Sequence, residues 1–86
     1  MPGSKIVMYA RERYCADVAR SRDRLNELGL SWIEHDIEAD SNASESLQQH
    51  SGRRNVPTLI IGDAVLVEPS NDELDNALRK AGFNIK

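Results

Sequence analysis

The sequence predicts an α/β protein in which a four-stranded mixed sheet is flanked by helices, with elements in the order β-α-β-α-β-β-α. Three observations lead there. Short apolar runs, Ile6-Val7-Met8 and Leu59-Ile60-Ile61, stand far apart in the chain with helically spaced apolar residues between them. Gly62-Asp63 separates Thr58-Leu59-Ile60-Ile61 from Ala64-Val65-Leu66-Val67, which is the signature of a two-residue hairpin turn. Ser70 followed by Glu73 forms a capping box ahead of Leu74, Ala77, Leu78 and Ala81, all on one helical face.

Taken in order, Lys5 to Ala10 is a buried strand that ends before Arg11, where the chain turns polar. Cys15 to Leu28 is a helix, with Val18, Leu25 and Leu28 on its apolar stripe and Gly29 as its stop. Leu30 to Ile37, with Trp32, Ile33 and Ile37, reads as the second strand, its inward face left ambiguous by Ile33 and His35. Asn42 and Glu45 form a helix-start box, so Ala43 to Ser51 is a short helix resting on Ala43 and Leu47 and ended by Gly52. The hairpin follows, and then the last helix, whose Arg79 and Lys80 complement the dipole before Gly82 ends it. The first strand-helix-strand unit should cross over right-handed to a parallel pair, and the hairpin should add antiparallel strands to the same sheet. No internal repeat competes with this order.

An 86-residue chain is long enough for one domain, 1–86, with one modest core. Hydrophobic residues at 40% and charged ones at 29% are those of an ordinary globular protein. A net charge of −3 argues against a general nucleic-acid binder. No apolar run approaches the ~20 residues that span a bilayer, and Met1 to Lys5 lacks the apolar core of a secretory signal, so the expectation is cytoplasmic residence away from membranes. Charge is unevenly spread: Lys5, Arg11, Arg13, Arg20, Arg22 and Arg24 dominate the first third, and Glu34, Asp36, Glu38, Asp40 and Glu45 follow with no Lys or Arg among them.

The chain has one cysteine, Cys15, so an intramolecular disulfide is impossible and stability must come from packing. A lone cysteine in a small domain is most simply a buried small hydrophobe. Cys15, however, falls where a loop after the first strand becomes the first helix. A helix N-terminus and nearby cations such as Arg11 and Arg13 favour a thiolate, whereas the carboxylate of Asp17 opposes it. His35 and His50 are isolated from any metal-ligand spacing and read as ordinary surface or core residues, so no metal site is expected.

Val7-Met8-Tyr9, Tyr14-Cys15-Ala16-Asp17-Val18, Leu28-Gly29-Leu30-Ser31-Trp32 and Asp36-Ile37-Glu38 together resemble the opening half of glutaredoxins. Ser51-Gly52-Arg53-Arg54-Asn55-Val56-Pro57-Thr58 resembles the stretch that carries the family's cis-proline, and the likeness runs from Lys5 to Gly82. The resemblance implies a thioredoxin-like fold and a thiol-disulfide oxidoreductase with Cys15 as nucleophile. It implies substrate-binding roles for Arg13, Tyr14, Arg54, Asn55, Val56, Pro57, Ser70 and Asn71, with the backbone of Val56 pairing with the substrate like an added strand.

Two departures qualify the likeness. Cys15-Ala16-Asp17-Val18 stands where dithiol members have Cys-Pro-Tyr-Cys, so only a monothiol cycle is available. Val67-Glu68-Pro69-Ser70-Asn71-Asp72 replaces the glycine-rich element that contacts glutathione, a pattern nearer the mycoredoxin-like branch. The implied chemistry needs no bound cofactor. Its co-substrate is glutathione or another low-molecular-weight thiol, its partner a thiolated or disulfide-bonded protein, and its working state a monomer. Two other readings stay open: an iron-sulfur carrier, poorly matched by Cys-Ala-Asp-Val against the Cys-Gly-Phe-Ser of such members, and a thioredoxin-fold binding or regulatory module without catalysis.

Overall fold

Ile6–Ala10 forms strand β1, whose consecutive Met8 and Tyr9 are 0% and 5% exposed. Because neighbouring residues of a strand face opposite sides, both faces of the sheet are covered there. A computed structural model of the chain describes residues 5–12, 15–52 and 55–85. Within them lie helix α1 (Ala16–Glu27), strand β2 (Ile33–Asp36), helix α2 (Ser41–Ser51), strands β3 (Thr58–Ile61) and β4 (Ala64–Val67), and helix α3 (Asn71–Lys80). The strands form one four-stranded sheet in the order β2-β1-β3-β4. β1 pairs parallel with β2, Val7 opposite Ile33 and Ala10 opposite Asp36, and antiparallel with β3, Ile6 opposite Ile61 and Tyr9 opposite Thr58. The hairpin of β3 and β4 turns at Gly62-Asp63, as its sequence requires.

One face of the sheet is covered by α2: the Tyr9 hydroxyl lies 2.9 Å from Ser46 Oγ, and the Tyr9 and His35 rings lie side by side across β1 and β2. Val18 and Leu25 of α1, Ala43 and Leu47 of α2, and Leu74, Ala77 and Leu78 of α3 join Met8, Leu59 and Ile61 in one buried cluster. α1 and α3 meet directly, and a two-pronged ion pair fastens them: Arg24 donates from Nε and Nη2 to the two Asp75 carboxylate oxygens at 2.9 and 2.7 Å. Asp75 is buried within α3 and finds its partner 51 residues away.

Three details of the elements differ from the sequence expectation. The second strand, expected over Leu30 to Ile37, is confined to Ile33–Asp36. Its first residues are taken by the end of α1: Gly29 adopts φ +71°, its amide bonds to Asn26 O, and the Leu30 amide bonds back to Leu25 O, a Schellman ending that consumes Leu30. The second helix starts at Ser41, not Ala43. Its cap is Asp40, whose carboxylate accepts from the amides of Asn42 and Ala43 at 3.0 and 3.4 Å, so the expected Asn42 and Glu45 box does not form. A carboxylate caps as well as an amide and also complements the helix dipole. The inward face of β2 is only half covered, with Ile33 47% exposed, because β2 is an edge strand.

The last helix follows its sequence closely. Glu73 N donates to Ser70 Oγ and Ser70 N to Glu73 Oε1, and at the far end Gly82, at φ +96°, allows the Phe83 amide to bond to Leu78 O. The basic and acidic stretches of the sequence meet in space. Arg22 of α1 donates from Nε at 3.0 Å and from Nη2 to the Glu34 carboxylate of β2, which also accepts the indole N–H of Trp32 at 3.1 Å. These hydrogen bonds, led by Arg22, hold the Glu34 carboxyl below its usual range.

Two outcomes follow for stability. Leu74 is fully buried, so Leu74→Ala should cost about 2–5 kcal/mol in urea unfolding, and a loss near zero would mean that the α3 face is not packed as described. The Asp75 carboxyl is held below its ordinary range, chiefly by the Arg24 hydrogen bond. Its contribution is therefore complete above the ordinary carboxylate range and is lost as pH falls through the depressed value. Urea titrations across the acid limb should show the parent protein losing stability more steeply below about pH 4 than Asp75→Asn does, and equal slopes would contradict the assignment.

Candidate functional site

The C-terminal end of β1 delivers the chain to Cys15, which is the N-cap of α1, with φ −143° and ψ 122°. Its carbonyl accepts from the Ala19 amide at 2.9 Å, whereas its thiol forms no capping bond. Cys15 is a free cysteine, half-buried and packed against the edge of the core. Asp17 does not turn onto the helix amides, as its place in the first turn suggests; its carboxylate pairs with Arg20 Nη1 at 3.0 Å. The Nη2 of the same arginine donates to Pro69 O at 3.2 Å, so α1 also holds the loop ahead of α3.

Cys15 opens onto a shallow cleft of about 370 Å³ lined by Arg11, Asn55, Val56 and Glu68. A larger hollow of about 780 Å³ lies between the Gly62-Asp63 turn and the Glu73, Ala77 and Lys80 face of α3, but it contains no thiol. The chain's one thiol therefore faces the smaller cleft. The Val56–Pro57 peptide bond is cis. The Val56 side chain is buried, while its N–H and C=O belong neither to the sheet ladder nor to the turn hydrogen bonds among the described residues. Two contacts fix this segment: Thr58 Oγ1 donates to Asn55 O at 2.7 Å, and the Glu68 amide donates to Pro57 O at 2.8 Å.

Of the residues expected at the site, Asn55 and Val56 share the cleft with Cys15, and Pro57 lies buried beneath it. Ser70 and Asn71 begin α3 and do not line the cleft; the Ser70 hydroxyl is engaged in its capping box. Arg13, Tyr14 and Arg54 lie outside the described residues. Glu68 is the cleft residue that sequence reading passed over. Its only signal was a negative one, an acidic residue standing where a glycine-rich element was missing. Among the described residues no group of His, Cys, Asp and Glu is arranged to hold a metal, and no helix is long and apolar enough to cross a membrane.

A strand-helix-strand unit whose helix is capped by a cysteine, with a cis-proline segment beside that cysteine at one end of a mixed sheet, is the arrangement of a thioredoxin-like fold. Solved structures agree. A glutaredoxin from Archaeoglobus fulgidus superposes with a TM-score of 0.78 at 20% identity, over 90% of this chain and 88% of its own. Glutaredoxin C1 from Populus tremula × tremuloides gives 0.66 at 22% identity over 94% and 89%. A buckwheat glutaredoxin in complex with glutathione gives 0.65 at 21% identity over 92% and 72%. The glutaredoxin family model matches residues 6–66, and the chain belongs to the glutaredoxin family. No curated protein matches the sequence.

Cysteine is a poor cap, and the backbone at position 15 is the one in which serine caps well. Cys15→Ser should therefore raise stability by about 0.5–1 kcal/mol in urea unfolding while removing the thiol, and a loss of stability would show that the sulfur packs more than it exposes.

Proposed function

We propose that this protein is a thiol-disulfide oxidoreductase that works through Cys15 alone, in a monothiol cycle, on mixed disulfides between proteins and a low-molecular-weight thiol. The observation that carries the reading is the position of Cys15, at a helix N-terminus that favours an anion and in a cleft shared with the unpaired backbone of Val56. Family membership supports the reaction class, and the glutathione complex of the buckwheat relative supports a small thiol as co-substrate.

In the first step the Cys15 thiolate attacks the small-thiol sulfur of a mixed disulfide. An Sγ–S bond forms, the S–S bond of the mixed disulfide breaks, and the target protein leaves with its own sulfur as a thiolate. Residue 18, where dithiol members keep a second cysteine, is a buried valine, so no internal thiol can discharge the adduct. A second small thiol then attacks the carried sulfur and Cys15 departs as thiolate; the two small thiols end as one disulfide. Val56 would receive the substrate backbone, Asn55 and Pro57 would shape that shelf, and Arg13, Tyr14, Arg54, Ser70 and Asn71 would complete the binding surface. We place this monomeric enzyme in a reducing compartment, the cytoplasm.

Treatment with oxidised glutathione should give one stable adduct at Cys15 by mass spectrometry, released at a rate proportional to added thiol and absent in Cys15→Ala. Failure to form an adduct under conditions where free cysteine forms one would leave a binding module as the better account.

A further inference from the structure

Glu68 has φ +48°, the one residue other than glycine with a positive φ among the described residues. The left-handed region costs a side-chain-bearing residue energy, and such residues persist where the surroundings enforce them, often at ligand clamps. Here the enforcement is visible on both sides. The Glu68 amide is bonded to Pro57 O, Pro69 is buried with its carbonyl held by Arg20, and Ser70 is locked in its capping box. The same backbone, so held, makes Glu68 part of the wall of the Cys15 cleft, where it is exposed and without an ion-pair partner among the described residues. Arg11 lines the same cleft, and its Nε is buried with no hydrogen-bond partner among the described residues. Around one nucleophile the cleft thus carries an unpaired anion and an unpaired cation.

We propose that Glu68 is a specificity-determining residue of the Cys15 reaction, receiving an ammonium group on the thiol that Cys15 takes up, with Arg11 receiving a carboxylate. The preferred small thiol is then zwitterionic close to its sulfur, and a thiol that presents only negative charge there is disfavoured. This inference rests on the oxidoreductase reading and narrows its substrate class. Opposed charges at fixed positions discriminate between ligands more than they add affinity, because a like charge brought against either wall is repelled.

The experiment loads Cys15 from three symmetric disulfides: cystamine, which is cationic, 3,3′-dithiodipropionate, which is anionic, and hydroxyethyl disulfide, which is neutral. In each case the Cys15 thiolate displaces one half of the disulfide as a thiolate and keeps the other half, so atoms and electrons balance within the exchange. Loading rates are followed by mass spectrometry, and the cystamine rate is divided by the dithiodipropionate rate, which cancels any change in the intrinsic reactivity of the sulfur. In Glu68→Gln the ratio should fall about tenfold at low salt, and less at high salt, where screening weakens both interactions. Glu68→Gly, which suits the backbone better, should give the same fall, so a folding defect cannot imitate the result. In Arg11→Gln the ratio should rise. An unchanged ratio in both Glu68 variants, with the neutral disulfide still loading Cys15, overturns the assignment of Glu68 alone. Failure of all three disulfides to load the parent protein overturns the oxidoreductase reading and this inference with it.

Discussion

Burial of β1 on both faces is the constraint on which the rest depends. A strand with Met8 facing one way and Tyr9 the other, both out of water, must have paired strands at its two edges and helices above and below. Antiparallel β3 supplies one edge and parallel β2 the other, and a parallel neighbour requires the chain to cross back over the sheet through α1. That crossing fixes where α1 begins. Cys15 needs no scaffolding of its own, since it is the residue that caps the crossover helix.

The same geometry explains which residues can meet the thiol. β3 runs antiparallel to β1, so its N-terminal end lies beside the exit of β1, and the Asn55 to Pro57 segment that precedes it must arrive next to Cys15. β4 returns along β3, so its C-terminal end, and with it Glu68, comes back to the same end of the sheet. Three segments distant in sequence therefore converge by register alone. Arg20 then ties two of them, bridging the Asp17 carboxylate of its own helix and the Pro69 carbonyl.

Much of this was legible in the amino-acid order because its determinants are local. The Gly62-Asp63 turn, the Ser70 and Glu73 box, and the glycines that end α1 and α3 each act within a few residues of themselves. The likeness to glutaredoxins, read from the surroundings of Cys15 and Pro57, corresponds to the family match over 6–66. What escaped was settled by residues far apart. Nothing near Asp75 in the sequence marks it for burial, because its partner, Arg24, stands on another helix 51 residues away. The late start of β2 goes with the α1 terminus, which holds the Leu30 amide on Leu25 O. Glu68 was hidden for a related reason: nothing in its neighbourhood of sequence says that its backbone is bent or that a thiol lies opposite.

The indole of Trp32 gives the molecule a built-in optical gauge. It is the sole tryptophan, it is half buried, and its N–H ends on the carboxylate that Arg22 of α1 also holds. Emission from this one fluorophore consequently registers whether the outer edge of the sheet and the crossover helix remain docked. Any event that loosens the helix carrying Cys15 at its tip is thereby written into the colour of the light, with no label attached.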